Sequence, residues 1–424
     1  MMKRLFLSFI FFLFLIHTGF LNAQSNGYLV IKNGTIIDGT GTDPVQKGVV
    51  VIQGNKIMAV GSLVDVKIPS GAKVIDVMGM TVLPGIIDSH VHTAYAPEIR
   101  RKLLEAGVTS ICDLGSPIDK MNEFKLENFG QEPVARGLTA GPIVTSPGGL
   151  PDAVLKEDLN FEVETSAGVK KGIEYLIERG ANVIKIFLHP TYKKEPCPML
   201  NLEEIKAVVK EAHSRGKLVR AHITRLSVLD LAIEGGVDVV EHIPYSAEQK
   251  DIIKAAGESN PREAIFNVIH VPEYETKLPR MAEKNIIMVP TLERPYGKYF
   301  KFDKDTPQRI FAEAMLEVVN RFHKLGGTIA LGTDYNYNSK KEFEIPVTEM
   351  EMMHEAGLTT MEVIEASTRH AAYVSGRGKD LGTLEKGKLA DIIIVDGDPL
   401  KDLKVLNNVL VVIKDGKLCV NRFN

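Results

Sequence analysis

His90 and His92 stand two residues apart at the end of an apolar run, Val82-Leu83-Pro84-Gly85-Ile86-Ile87. On a strand, side chains two apart share a face, so both imidazoles would point the same way. Two neutral imidazoles on one face make half of a transition-metal site. Taken alone, the pair describes two surface histidines equally well. Four more residues change that balance. Lys185 sits inside Val183-Ile184-Lys185-Ile186-Phe187, where an ammonium is costly unless it pairs, reaches water or loses its charge. His222 follows Leu218-Val219-Arg220-Ala221, His242 follows Val237-Asp238-Val239-Val240-Glu241, and Asp334 follows Ile329-Ala330-Leu331-Gly332-Thr333. Each by itself is explained as a buried polar residue with its own hydrogen-bond partner. Six at matching strand positions are better explained as one site.

The elements that would carry them alternate regularly. Strand-like segments lie at Gly85–His92, Ser110–Leu114, Arg136–Val144, Val183–Leu188, Leu218–Ile223, Val237–Ile243, Ile286–Thr291 and Thr328–Asp334. Helical stretches such as Glu98–Glu105, Ser166–Arg179, Leu202–Ser214, Val228–Glu234 and Thr306–Lys324 fall between most of them. Eight strands alternating with helices predict an α/β protein, a (β/α)8 TIM-like barrel whose active site lies at the C-terminal ends of the strands. The alternative, an open doubly wound sheet, would use a Gly-rich turn after its first strand, where Asp88-Ser89-His90 stands instead. The two chain ends read differently, as short Val- and Ile-rich strands with tight turns. Tyr28–Lys32, Gly34–Ile37, Gly48–Gln53, Lys56–Val60 and Lys73–Asp76 lead, and Ala390–Val395, Val409–Lys414 and Lys417–Val420 close the chain. Asp415-Gly416 reads as a two-residue hairpin turn. Neither end has enough strands to fold alone, so both should meet in one small β-sandwich domain. The division is then 1–23 for a signal peptide, 24–82 and 380–424 for the β domain, and 83–379 for the barrel.

Composition bounds the partners. The 424 residues are 44% hydrophobic and 25% charged, with a formal net charge of -3 and Lys and Arg spread along the chain. A nucleic-acid surface would show a concentrated basic stripe, so no nucleic-acid partner is expected. Lys3 and Arg4 precede an apolar run from Leu5 to Ile16, and Ala23 offers a small residue before Gln24. That layout predicts a cleaved secretory signal and an exported, periplasmic or extracellular protein; the run is short for an anchor helix. No membrane span is expected once the signal is removed. Cys112, Cys197 and Cys419 are an odd number and widely spaced, which does not make a disulfide framework.

At this point the sequence resembles the amidohydrolase superfamily over nearly all of the mature chain. The resemblance is carried by Leu83-Pro84-Gly85-Ile86-Ile87-Asp88-Ser89-His90-Val91-His92, and by Leu104-Glu105-Ala106-Gly107-Val108-Thr109 leading to Asp113-Leu114-Gly115. It is carried again by Leu381-Gly382-Thr383-Leu384-Glu385-Lys386-Gly387-Lys388-Leu389-Ala390-Asp391, running into Asp396-Gly397-Asp398-Pro399-Leu400. It looks most like the branch of imidazolonepropionase-like proteins and metal-dependent Xaa-Pro or Xaa-Arg dipeptidases. The resemblance implies two divalent ions, zinc first among them. His90, His92 and Asp334 would hold the first, His222 and His242 the second, and CO2 would carboxylate Lys185 to a carbamate bridging both. A bridging hydroxide would attack an amide or peptide C–N bond, with Asp334 as general base and then acid. Base deaminases of this fold carry a Glu shortly after the fifth-strand histidine, whereas His222 is followed by Ile223, Thr224 and Arg225. An ester or lactone hydrolase on the same metals is an alternative, and a barrel without activity is a lesser one. His189, Arg225, Tyr245 and Arg294, just past strand ends, are candidates to line the substrate pocket or to be solvated loop residues. Partners are thereby limited to a small amide or peptide substrate and, if the chain associates, to copies of itself.

Overall fold

The protein is described by a computed structural model covering residues 27–151, 158–192, 195–338 and 342–423. The expected export signal lies outside the described residues. Strands buried on both faces, as Val- and Ile-rich runs should be, form the barrel wall. Arg136–Thr139, Val108–Asp113, Ile86–His92 and Tyr335–Asn336 pair in that order, all parallel. A second parallel set runs Asn160–Glu162, Ile143–Thr145, Ile184–Phe187, Val219–His222, Val239–Glu241 and Ile287–Val289. Backbone bonds join the two sets. On one side Asn182 N donates to Thr139 O at 2.8 Å; on the other, Ser89 N donates to Leu331 O at 3.2 Å and Ala330 N to Met288 O at 3.0 Å.

Two predicted strands are corrected. Arg136–Val144 is not continuous: Gly141, at φ 70°, and Pro142, which lacks an N–H, break it into Arg136–Thr139 and Ile143–Thr145. Thr328–Asp334 is an irregular extended segment that pairs as a strand only at Ile329, opposite Met288, and again at Tyr335–Asn336. Its course is set by close approach to the first strand. A Cβ on Gly332 would come within 2.6 Å of His90 Cβ, and the buried Asp88 carboxylate accepts from both Thr333 N and Thr333 Oγ1.

Helices cover the outside. Leu202–Ser214 shows why they form where they do. Asn201 Oδ1 accepts from Glu203 N and Glu204 N, Glu204 returns a bond to Asn201 N, and Ile205, Val208, Val209 and Ala212 make the buried stripe. Such a capping box contributes about 1 kcal/mol to the helix. Among the described residues no helix is long and apolar enough to cross a membrane.

The chain ends do meet in one sheet. Lys417–Asn421, Val409–Lys414, Ile392–Val395, Thr81–Pro84, Tyr28–Ile36, Val45–Gln53 and Lys56–Ser62 pair in sequence, with Lys73–Asp76 beside Tyr28–Ile36. The central strand Ile392–Val395 is apolar throughout because it faces two cores. Ile392 and Ile394 pack with Ile31, Val50 and Ile413, while Ile393 and Val395 belong to the barrel core. Asp415 and Gly416, at φ 50° and 70°, form the expected tight turn. Beneath it, Arg136 Nη2 reaches Asp415 Oδ1 at 2.6 Å and Asp391 Oδ2 at 3.1 Å, and Lys414 pairs with both Asp415 and Glu127.

Candidate metal centre

His90, His92, Lys185, His222, His242 and Asp334 all line one cavity of about 200 Å3 at the C-terminal ends of the barrel strands. The first strand presents His90 and His92 with ring centroids 5.3 Å apart. Asp334 Oδ1 lies 3.0 Å from His92 Nε2 and 3.5 Å from His90 Nε2. One donor atom from each of these three falls within 4.8 Å of the others, a spacing and donor set that suit a divalent cation. On the far wall His242 Nε2 is 2.9 Å from His222 Nδ1, and His242 Nδ1 meets Thr291 Oγ1 at 2.8 Å. Phe187 stacks on the His222 ring with centroids 3.8 Å apart.

The electrostatics favour neutral imidazoles and an anionic Asp334. Burial holds the His90 and His222 imidazoles well below their ordinary range, and pushes His242 down to about 4. Burial works the other way on Asp334, but His92, His90 and His242 around it override that and hold its carboxyl well below the usual range. Lys185 is 2% exposed, and its Nζ has no hydrogen-bond partner among the described residues. Burial brings its ammonium down to about 8, helped by Arg220 and opposed by Glu241. An amine that deep, unpaired and beside four imidazoles, fits a site completed by something that binds nitrogen lone pairs.

Backbone strain is concentrated here. Thr93, His242, Thr291 and Asp334 have φ of 57°, 70°, 50° and 58°, in the left-handed region that L-residues avoid. Thr291, like Thr93 a β-branched residue, is among the most strained by that conformation. Glu349, buried, supports its loop by accepting from Leu292 N at 2.8 Å and Glu293 N at 2.6 Å.

Of the four candidate substrate residues, only Arg294 lines the cavity, donating to the Asp334 side chain and to its carbonyl. His189 is half-buried with its ring 6.5 Å from His222. Arg225 lies 5.8 Å over the Tyr245 ring and reaches Ala247 O at 3.5 Å, so these two engage each other beside the cavity. Sequence reasoning passed over Glu241 and Arg220, a fully buried ion pair joined to His90. The signal was there: each is a charge inside an apolar strand, as Lys185 is. Cys112 is the core residue its apolar setting suggests, its thiol pushed up to about 12 by burial.

The chain belongs to the amidohydrolase family, whose pattern matches residues 81–419. It is 24% identical over 418 residues to an imidazolonepropionase of Shouchella clausii, covering 89% of this chain and 86% of that protein. It is 27% identical over 259 residues to the ochratoxinase of Aspergillus niger, covering 59% of this chain and 48% of the fungal protein. The match thus spans about half the length of that relative. Among solved structures, a Xaa-Pro dipeptidase with bound methionine in its active site is similar at 25% identity and a TM-score of 0.71, over 92% of this chain and 99% of that one. The fold is therefore the TIM-like barrel with a small additional β domain.

Proposed function

We propose that this chain is a two-metal amidohydrolase that cleaves the C–N bond of a small amide: a dipeptide, an N-acyl amino acid or a cyclic amide. The observation that carries it is Lys185, buried without a partner among the described residues in a cavity lined also by four imidazoles and Asp334. His90, His92 and Asp334 would hold one divalent ion, His222 and His242 a second. Lys185, taking CO2 on its neutral amine with loss of a proton, would become a carbamate shared by both. Zinc suits this nitrogen-rich donor set, and the ions supply Lewis acidity and a nucleophile drawn from water at neutral pH. Asp334, kept anionic by its surroundings, accepts a proton at its carboxylate and returns it to the leaving nitrogen. Arg294 fixes the Asp334 side chain from the opposite edge. Phe187, Ile143 and Leu159 give the cavity an apolar wall. The dipeptidase and imidazolonepropionase among its relatives support a small C–N substrate. Export belongs to the same reading, on the basic and apolar residues 3–16; mature protein should begin near Gln24 by N-terminal sequencing.

The test is a purified enzyme, analysed for metal and screened against dipeptides and N-acyl amino acids. Close to two ions per chain and turnover of at least one amide class are expected. A single ion, with turnover confined to esters or lactones, would overturn the reading.

A further inference from the structure

Beneath the cavity lies an ion pair that the proposed mechanism leaves unused. Glu241 and Arg220 are both 0% exposed and stand on neighbouring parallel strands. Arg220 Nε donates to Glu241 Oε1 at 2.6 Å, and its Nη1 donates to the Val374 carbonyl at 3.2 Å, which ties the guanidinium to the frame. The second carboxylate oxygen, Oε2, lies 2.7 Å from His90 Nδ1. As packing alone this is a costly arrangement, since apolar side chains of similar volume fill such a place at least as well. As an orienting device it is specific. A carboxylate paired with a permanently charged guanidinium only accepts hydrogen bonds, so the proton between the two must sit on His90 Nδ1. That leaves the lone pair on His90 Nε2, the nitrogen turned toward Asp334 Oδ1.

We propose that Glu241, clamped by Arg220, is a positioning residue that locks His90 in its Nδ1–H tautomer and presents Nε2 to a divalent cation. The metal half of this rests on the reading of His90 as a ligand; the tautomer does not. His242 is set by softer contacts, a threonine hydroxyl and another imidazole. A histidine whose far nitrogen donates to a carboxylate is a stronger and better aimed ligand.

The full chain, metal-stripped and labelled with 15N-histidine, tests the first half directly. The His90 signals, assigned against His90→Asn, should show a protonated Nδ1 and a bare Nε2. The reverse tautomer, or exchange between the two, would overturn the proposal whatever the metal does. For the second half, zinc affinity is measured by chelator competition. Glu241→Gln should bind zinc about 10–100-fold more weakly while still melting cooperatively, with Glu241→Asp recovering part of the loss. An unchanged affinity in Glu241→Gln, where His90→Asn loses zinc, would refute positioning. An unchanged affinity in His90→Asn would instead refute the ligand reading, and the wild-type spectrum would still decide the tautomer. The same spectrum decides the matter if Glu241→Gln does not fold.

Discussion

Two clusters of buried charge occupy opposite ends of the barrel strands, and they are built on opposite rules. At the end facing the β domain, Arg136 meets Asp391 and Asp415, and Lys414 meets Asp415 and Glu127. Every charge there has an opposite charge within bonding distance. At the other end Lys185 has no hydrogen-bond partner among the described residues, and two imidazoles face each other nitrogen to nitrogen. In the first cluster all charges are paired across the seam between barrel and β domain, although Arg136 Nε has no hydrogen-bond partner among the described residues. The second leaves the Lys185 ammonium without a bonded counter-charge, and on the proposed reading the difference separates groups kept for stability from groups kept for chemistry.

The largest effect is expected from cutting Lys185. Lys185→Ala should lose about 100-fold or more of amide turnover and most of its metal, since on the proposed reading it removes a ligand rather than an outer support, whose loss costs about 10–100-fold. Formate or acetate should restore part of the activity. Metal analysis and turnover, side by side, check this; near-normal values would mean an ordinary lysine.

At the paired end the expected damage is to stability. Arg136→Met strands the buried Asp391 carboxylate, takes one of two cations from the half-buried Asp415, and should cost about 3–5 kcal/mol in denaturant unfolding. Metal content of the folded variant should stay at the wild-type value. A cost well below 1 kcal/mol would show that the network is ornamental.

The same contrast should appear in the response to pH. The Lys185 ammonium falls from 10.5 to about 8 on folding. Between those values the unfolded chain keeps a proton that the folded chain has released, so raising the pH through that window favours the folded form. Metal-stripped Lys185→Met, free of this penalty, should exceed wild type in stability by about 1–3 kcal/mol at pH 7. The gap should close between about pH 8 and 10.5, where a tenfold change in proton concentration is worth about 1.4 kcal/mol. A pH-independent gap would place the lysine in water.

The smallest effect expected is at Thr291. Thr291→Val removes the hydroxyl bonded to His242 Nδ1 and should weaken zinc binding about tenfold, at a cost near 1 kcal/mol. Chelator competition reads it, and a larger loss than in Glu241→Gln would reverse the ranking of the two supports.

What could be read from the residues follows from the kind of signal each leaves. His90, His92, Lys185, His222, His242 and Asp334 were legible because each interrupts or ends an apolar strand, and strand ends of a barrel converge by geometry. The breaks at Gly141 and Gly332 were less so: the glycines are visible, but not the neighbours that demand them. His189, Arg225 and Tyr245 lie beside the cavity rather than on its wall, because distance past a strand end does not say which way a loop turns. The left-handed backbone at His242 and Asp334 falls on residue types that tolerate it, whereas that at Thr291 has no signature in residue type. Glu241 and Arg220 did carry a signal, and it differed from that of Lys185 only in needing each other to be understood.

The pairing of Ile392–Val395 with Thr81–Pro84 has a consequence for how the molecule is made. The strand bearing His90 and His92 begins two residues beyond that pairing, at Ile86. Until the last segments of the chain leave the ribosome, Thr81–Pro84 lacks its neighbour on one side and presents an open edge. Contacts between such distant segments close late in folding. A chain cut short before residue 392 would therefore be damaged at its first barrel strand as well as at its end. Completion of synthesis thus acts as a checkpoint on the site.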